Sequence, residues 1–77
     1  MNRIIEHLES ALRGGEDTAP VRFDLGSAYF DEQRWDRAAE HLQAAVNHDP
    51  DYALAWKRLG QAHHALGRTA QAREAFE

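Results

Sequence analysis

The stretch DYALAWKRLG, residues 51–60, sets a Trp, a Leu and a Gly at fixed distances inside an apolar run, and a segment much like it occurs once before. At a shift of 34 residues, Ala19 matches Ala53, Leu25 matches Leu59, Gly26 matches Gly60, Ala28 matches Ala62 and Ala38 matches Ala72, while Leu42 falls opposite Phe76. Chance does not readily place six such matches in one register. A helix–turn–helix period of this length marks a stacked repeat, so the pattern predicts a solenoid.

Outward from that register the chain reads as helix almost throughout. Apolar residues recur three and four apart, and Pro20 and Pro50 stand where segments begin. The spacing predicts a first amphipathic helix over 2–13, with Ile4, Ile5, Leu8, Ala11 and Leu12 on one face and a stop at Gly14-Gly15. Thr18 can cap a second helix over 20–31. A turn near Gln33-Arg34 leads to a third over 35–47; a fourth covers 51–66 and closes at Gly67, and a fifth starts near Thr69.

The matched positions resemble the tetratricopeptide repeat family, whose pattern is W-x-x-L-G-x-x-Y, then A-x-x-x-F, then P. The first copy supplies Arg22, Leu25, Gly26, Tyr29, Ala38, Leu42 and Pro50; the second supplies Trp56, Leu59, Gly60, His63, Ala72 and Phe76. Arg22, Leu42 and His63 depart from the family residues. The resemblance implies an all-α fold of antiparallel helix-turn-helix repeats stacked as a right-handed solenoid of about five helices. It divides the single domain 1–77 into the second helix of a preceding repeat or an N-terminal cap (2–13), a full repeat (19–52) and a truncated one (53–77). A mid-helix glycine costs about 1 kcal/mol against alanine, so Gly26 and Gly60 are expected to admit a close crossing at Ala38 and Ala72. The chain end inside a helix that the family completes points to a longer protein.

Composition bounds the function. A chain of 77 residues holds one small domain, and its 43% hydrophobic and 29% charged content is that of a soluble globular protein. The longest apolar run, YALAW, is too short to span a membrane, and Glu6 and Glu9 interrupt any signal-peptide core, so the expected location is cytoplasmic. With no cysteine, disulfides and thiolate metal sites are excluded. A net charge of −4 with scattered arginines argues against nucleic-acid binding.

The remaining conspicuous residues have simpler readings than chemistry. Trp35 and Trp56 suit packing at a turn and at the family's own Trp position. His7, His41, His48, His63 and His64 lack the three- or four-residue spacing that a helical metal site requires, so neither a metal nor a cofactor is expected. Asp31-Glu32 and Asp36/Glu40 read as solvated carboxylates, and Ser27 in LGSAY lacks a nucleophile elbow. The chain reads as a non-enzyme.

What remains is surface. In the family the first helices of successive repeats line a groove that takes a peptide or a partner's helix. Carried over, the groove residues are Phe23, Ser27, Phe30 and Asp31 from one helix and Leu54, Lys57, Gln61 and His64 from the next, flanked by Pro20 and Ala65. Phe23/Ser27/Phe30 and Lys57/Gln61/His64 each keep the i, i+4, i+7 spacing of one helix face. Phe23, Ser27 and Arg58 stand where chaperone-binding members carry Lys, Asn and Asn, which disfavours a carboxylate clamp. The expected function is protein–protein interaction as a scaffold or adaptor. The alternatives are homodimerisation through exposed end helices, where Ile4, Ile5 and Leu8 or Ala72, Ala75 and Phe76 lack cover, and an accessory role beside catalysis elsewhere in a longer protein.

Overall fold

Four helices follow one another in the computed structural model, which describes the backbone of residues 2–76 and the side chains of residues 2–69: α1 (Arg3–Arg13), α2 (Ala19–Asp31), α3 (Trp35–His48) and α4 (Ala53–Phe76). The fold is all-α, with no strand among the described residues.

Local chemistry sets the helix ends. Asn2 caps α1, its side-chain oxygen accepting from the Ile4 and Ile5 amides at 2.9 and 3.3 Å. Gly15 at φ 98° closes the same helix, with the Glu16 N–H donating to the Ala11 carbonyl and the Gly15 N–H to that of Leu12. Thr18 Oγ1 accepts from the Val21 amide at 3.3 Å and starts α2. That helix ends in the same left-handed turn, but Gln33 occupies the left-handed position at φ 60°. The Arg34 and Gln33 amides close it onto the Tyr29 and Phe30 carbonyls.

Each helix packs on its neighbours in the chain, and α2 also touches α4. The core lies between α2, α3 and α4: Leu25, Ala38, Leu42, Ala45, Ala55 and Ala62 are fully buried, with Val46 and Leu59 nearly so. The α1 helix adds buried Ile5 and half-buried Leu8 and Leu12. Ile4 on its open flank is 63% exposed.

Two expectations fail at the C-terminal end. The fourth and fifth helices are one continuous helix, so the described residues form four helices rather than about five. Gly67 takes no left-handed φ, and Thr69 does not cap: its hydroxyl donates back to the Ala65 carbonyl at 3.0 Å, a bond made inside a running helix. The Ala-, Arg-, Gln- and Glu-rich segment that follows has high helix propensity, which outweighs the roughly 1 kcal/mol cost of Gly67. Gly60 and Ala72 therefore lie about 18 Å apart along one axis and cannot cross. A Cβ on Gly60 would meet nothing within 4 Å among the described residues. Gly26 does make the expected close approach, to Leu42 and to the Ala38 carbonyl. The side chains of Ala72, Ala75 and Phe76, named above as an uncovered edge, lie outside the described residues.

Candidate functional site

The contact between α2 and α4 brings Phe30, Leu54, Lys57, Arg58 and Gln61 around an open cleft of about 380 Å³. Leu54, Lys57 or Arg58, and Gln61 lie three and four apart, so α4 presents them along one side. Phe30 is fixed from behind by Trp35, edge to face at 5.0 Å and 75° between ring planes. The Arg58 guanidinium lies 5.0 Å from the centre of the Phe30 ring, with Nη1 3.9 Å from Asp31 Oδ1. Leu54 is 60% exposed beside them. An aromatic face, an aliphatic side chain and cationic groups thus meet at one opening.

The eight expected groove residues do not all share that cleft. Phe30, Leu54, Lys57 and Gln61 do. Ser27 and Asp31 instead line a second cleft of about 460 Å³, with Arg3, Ile4, His7 and Leu8 of α1 and Asp24 and Ala28 of α2. Among the described residues, Ser27 Oγ is buried with no hydrogen-bond partner. Phe23 is half-buried against Tyr52, the rings 4.8 Å apart and tilted by 31°, so it seals the joint between α2 and the turn before α4. Burial, with Asp24 and Asp49 nearby, pushes the Tyr52 hydroxyl above its usual range. His64 is exposed and lines neither cleft.

Arg58 stands outside the eight expected groove residues, and the sequence reads it only as the residue at a clamp's Asn position. The signal was present in its spacing four residues after Leu54, but the preference for Lys57 came from family positions, which do not show that a guanidinium beside Phe30 will lie on its ring. A third cleft, of about 640 Å³, lies between the α2–α3 turn and α4, where Arg34, Trp35 and Arg37 face Leu66 and Thr69. It exists because α4 runs on past Gly67. Among the described residues, no three His, Asp or Glu side chains come together as metal ligands.

The two matched copies also differ at the family's Trp position. Trp56 is 49% exposed, and its indole N–H donates to the Pro50 carbonyl at 2.8 Å, tying the turn before α4. Arg22, at the corresponding place on α2, holds Asp17 with two hydrogen bonds at 2.8 and 3.0 Å. A family model described as tetratricopeptide repeat matches residues 5–46 and again 23–77. The chain belongs to the tetratricopeptide repeat family.

It is similar to a repeat-containing protein of this family from Pseudomonas aeruginosa, 50% identical over 74 residues that cover 96% of this chain and 70% of that protein. A protein O-mannosyl-transferase of Mus musculus is 36% identical over 79 residues, which cover 97% of this chain and 8% of the transferase. A peroxisomal targeting signal receptor of Pichia angusta is 34% identical over 47 residues, or 61% of this chain and 8% of the receptor. No solved structure matches the chain. Tetratricopeptide repeats generally mediate protein–protein interaction, and among the described residues no helix is long and apolar enough to cross a membrane.

Proposed function

We propose that this tetratricopeptide chain is a non-catalytic, cytoplasmic interaction module that receives a peptide or partner helix in the cleft between α2 and α4. The observation that carries the reading is the meeting of Phe30, Leu54, Lys57, Arg58 and Gln61 at one open cleft. An apolar side chain of the ligand packs on Phe30 and Leu54, and a carboxylate beside it meets the exposed Lys57, while Arg58 lies 3.9 Å from Asp31. The relative named as a targeting signal receptor supports peptide recognition as a use of such repeats. Residues 19–52 act as a full repeat, with 2–13 as the second helix of a preceding repeat or an N-terminal cap and 53–77 as a truncated repeat; the 34-residue register supports that division.

Selection from a displayed random-peptide library tests the reading. Peptides enriched on the native chain should carry an apolar residue next to an acidic one, and their affinity should fall at least tenfold in the double variant Phe30→Ala, Lys57→Glu, with helical content unchanged. Selected peptides that bind the double variant equally well would place recognition elsewhere.

A second reading is favoured by Ile4, 63% exposed above the cleft that Leu8 and Ala28 also line. There the α1 face pairs with another copy. Sedimentation that depends on concentration and is abolished by Ile4→Asp would support it; a single species at all concentrations would remove it.

A further inference from the structure

His41 is 4% exposed on α3, with its ring stacked on that of Tyr29 at 5.5 Å and 6° between planes. Its Nδ1 lies 3.0 Å from Arg22 Nη1. Arginine can only donate, so Nδ1 must accept, and the single ring proton sits on Nε2. Nε2 faces Glu9 Oε1 of α1 at 3.8 Å, and the same Glu9 oxygen accepts the Tyr29 hydroxyl proton at 2.8 Å. Beyond Arg22 the chain of contacts continues to Asp17 in the α1–α2 loop, which Arg22 grips with Nε and Nη2 and which His48 Nε2 approaches at 2.8 Å. One neutral imidazole therefore joins α1, the 14–18 loop, α2 and α3.

We propose that His41, wedged between Arg22 and Glu9, makes the seating of α1 and of the 14–18 loop on the α2–α3 hairpin sensitive to acidification. A second ring proton on Nδ1 removes the acceptor for Arg22 and sets two cations 3.0 Å apart. Arg22 cannot retreat without loosening both bonds to Asp17, which displaces the loop. The imidazolium cannot rotate away without breaking its stack on Tyr29, whose hydroxyl anchors Glu9 of α1.

The surrounding charges divide. Burial is the largest influence and disfavours the imidazolium; Arg22 of α2 and Arg37 of α3 act in the same direction, while Glu9 of α1 and Glu40 of α3 oppose them. Arg34 lies on the other ring of the stack, 4.9 Å from the centre of Tyr29. The balance leaves His41 below the ordinary histidine range. A histidine lowered in the folded state contributes stability that is complete above the unfolded value of about 6.5 and is lost as pH falls from there toward the folded value. The device belongs to this chain's departure from the family pattern, because it needs an arginine at position 22. It acts whatever the α2–α4 cleft binds.

Ring-proton titration of all five histidines by NMR, with amide exchange measured between pH 7.5 and 5 and corrected for intrinsic rates, tests the proposal. His41 should titrate lowest. Protection of residues 3–18 should fall with pH by at most about tenfold per unit, the limit for one proton, ahead of α3. His41→Gln, which keeps an acceptor for Arg22 and a donor toward Glu9, should flatten this dependence, and His48→Gln should leave it in place. Titration of native His41 at or above the ordinary value would overturn the proposal without any variant. So would a pH dependence of residues 3–18 that survives His41→Gln, or protection lost uniformly through α3 and α4.

Discussion

Leu42 fills the space where a side chain on Gly26 would begin: a Cβ placed on Gly26 would fall 2.6 Å from Leu42 Cγ and 3.2 Å from the Ala38 carbonyl oxygen. Leu42 is fully buried and the carbonyl is backbone, so neither can give way cheaply. Gly26→Ala should cost about 1–3 kcal/mol through overpacking, read as a lower urea midpoint with an unchanged slope. The matched Gly60 has open space instead, and Gly60→Ala should raise stability by up to about 1 kcal/mol through helix propensity. Two alanines with equal effects would contradict the difference in packing.

Gln33 closes α2 at φ 60°, where a Cβ is strained and glycine is at ease. The side chain is exposed, and backbone bonds from the Gln33 and Arg34 amides close the turn. Gln33→Gly should stabilise the chain by about 0.5–1 kcal/mol after glycine's larger loss of entropy on folding. Thermal unfolding would show this as a higher midpoint, and a lower one would mean that the turn does not carry that strain.

The Trp56 indole holds the turn before α4 through the Pro50 carbonyl. Trp56→Phe keeps most of the apolar surface and removes the donor, and should cost about 0.5–1.5 kcal/mol, the usual net worth of such a bond. Faster amide exchange confined to residues 49–56 would be its local signature, and unchanged exchange there would remove the bond's role.

Hydrogen bonds from Arg22 and then His48 hold the Asp17 carboxyl well below the usual carboxylate range. A carboxylate lowered in the folded state contributes stability above the unfolded value of about 3.9, and that contribution is lost as pH falls below it. Asp17→Asn should therefore destabilise the chain at neutral pH and flatten the decline of stability below about pH 4. An acid limb identical in the variant would show that Asp17 has no part in it.

The sequence by itself determined the helical class, the 34-residue register and the helix boundaries set by local signals as far as Pro50, but not the break expected at Gly67. Asn2, Thr18, Gly15 and the Asp49-Pro50 step each act within a few residues of their own position, so their effect is readable without a neighbour. Of the eight residues expected in a groove, helical spacing accounts for Leu54, Lys57 and Gln61 lying along one side of α4, beside the cleft that Phe30 also lines. Only the tertiary structure decided that Phe23 turns to Tyr52, that Arg58 lies on Phe30, and that Gly26 is crowded while Gly60 is open. It also decided that Arg22, Asp17, His41 and Glu9 form one network. Each of these depends on which second helix comes near, and that distance is settled by packing across the whole core, where residues far apart in the chain compete for the same space.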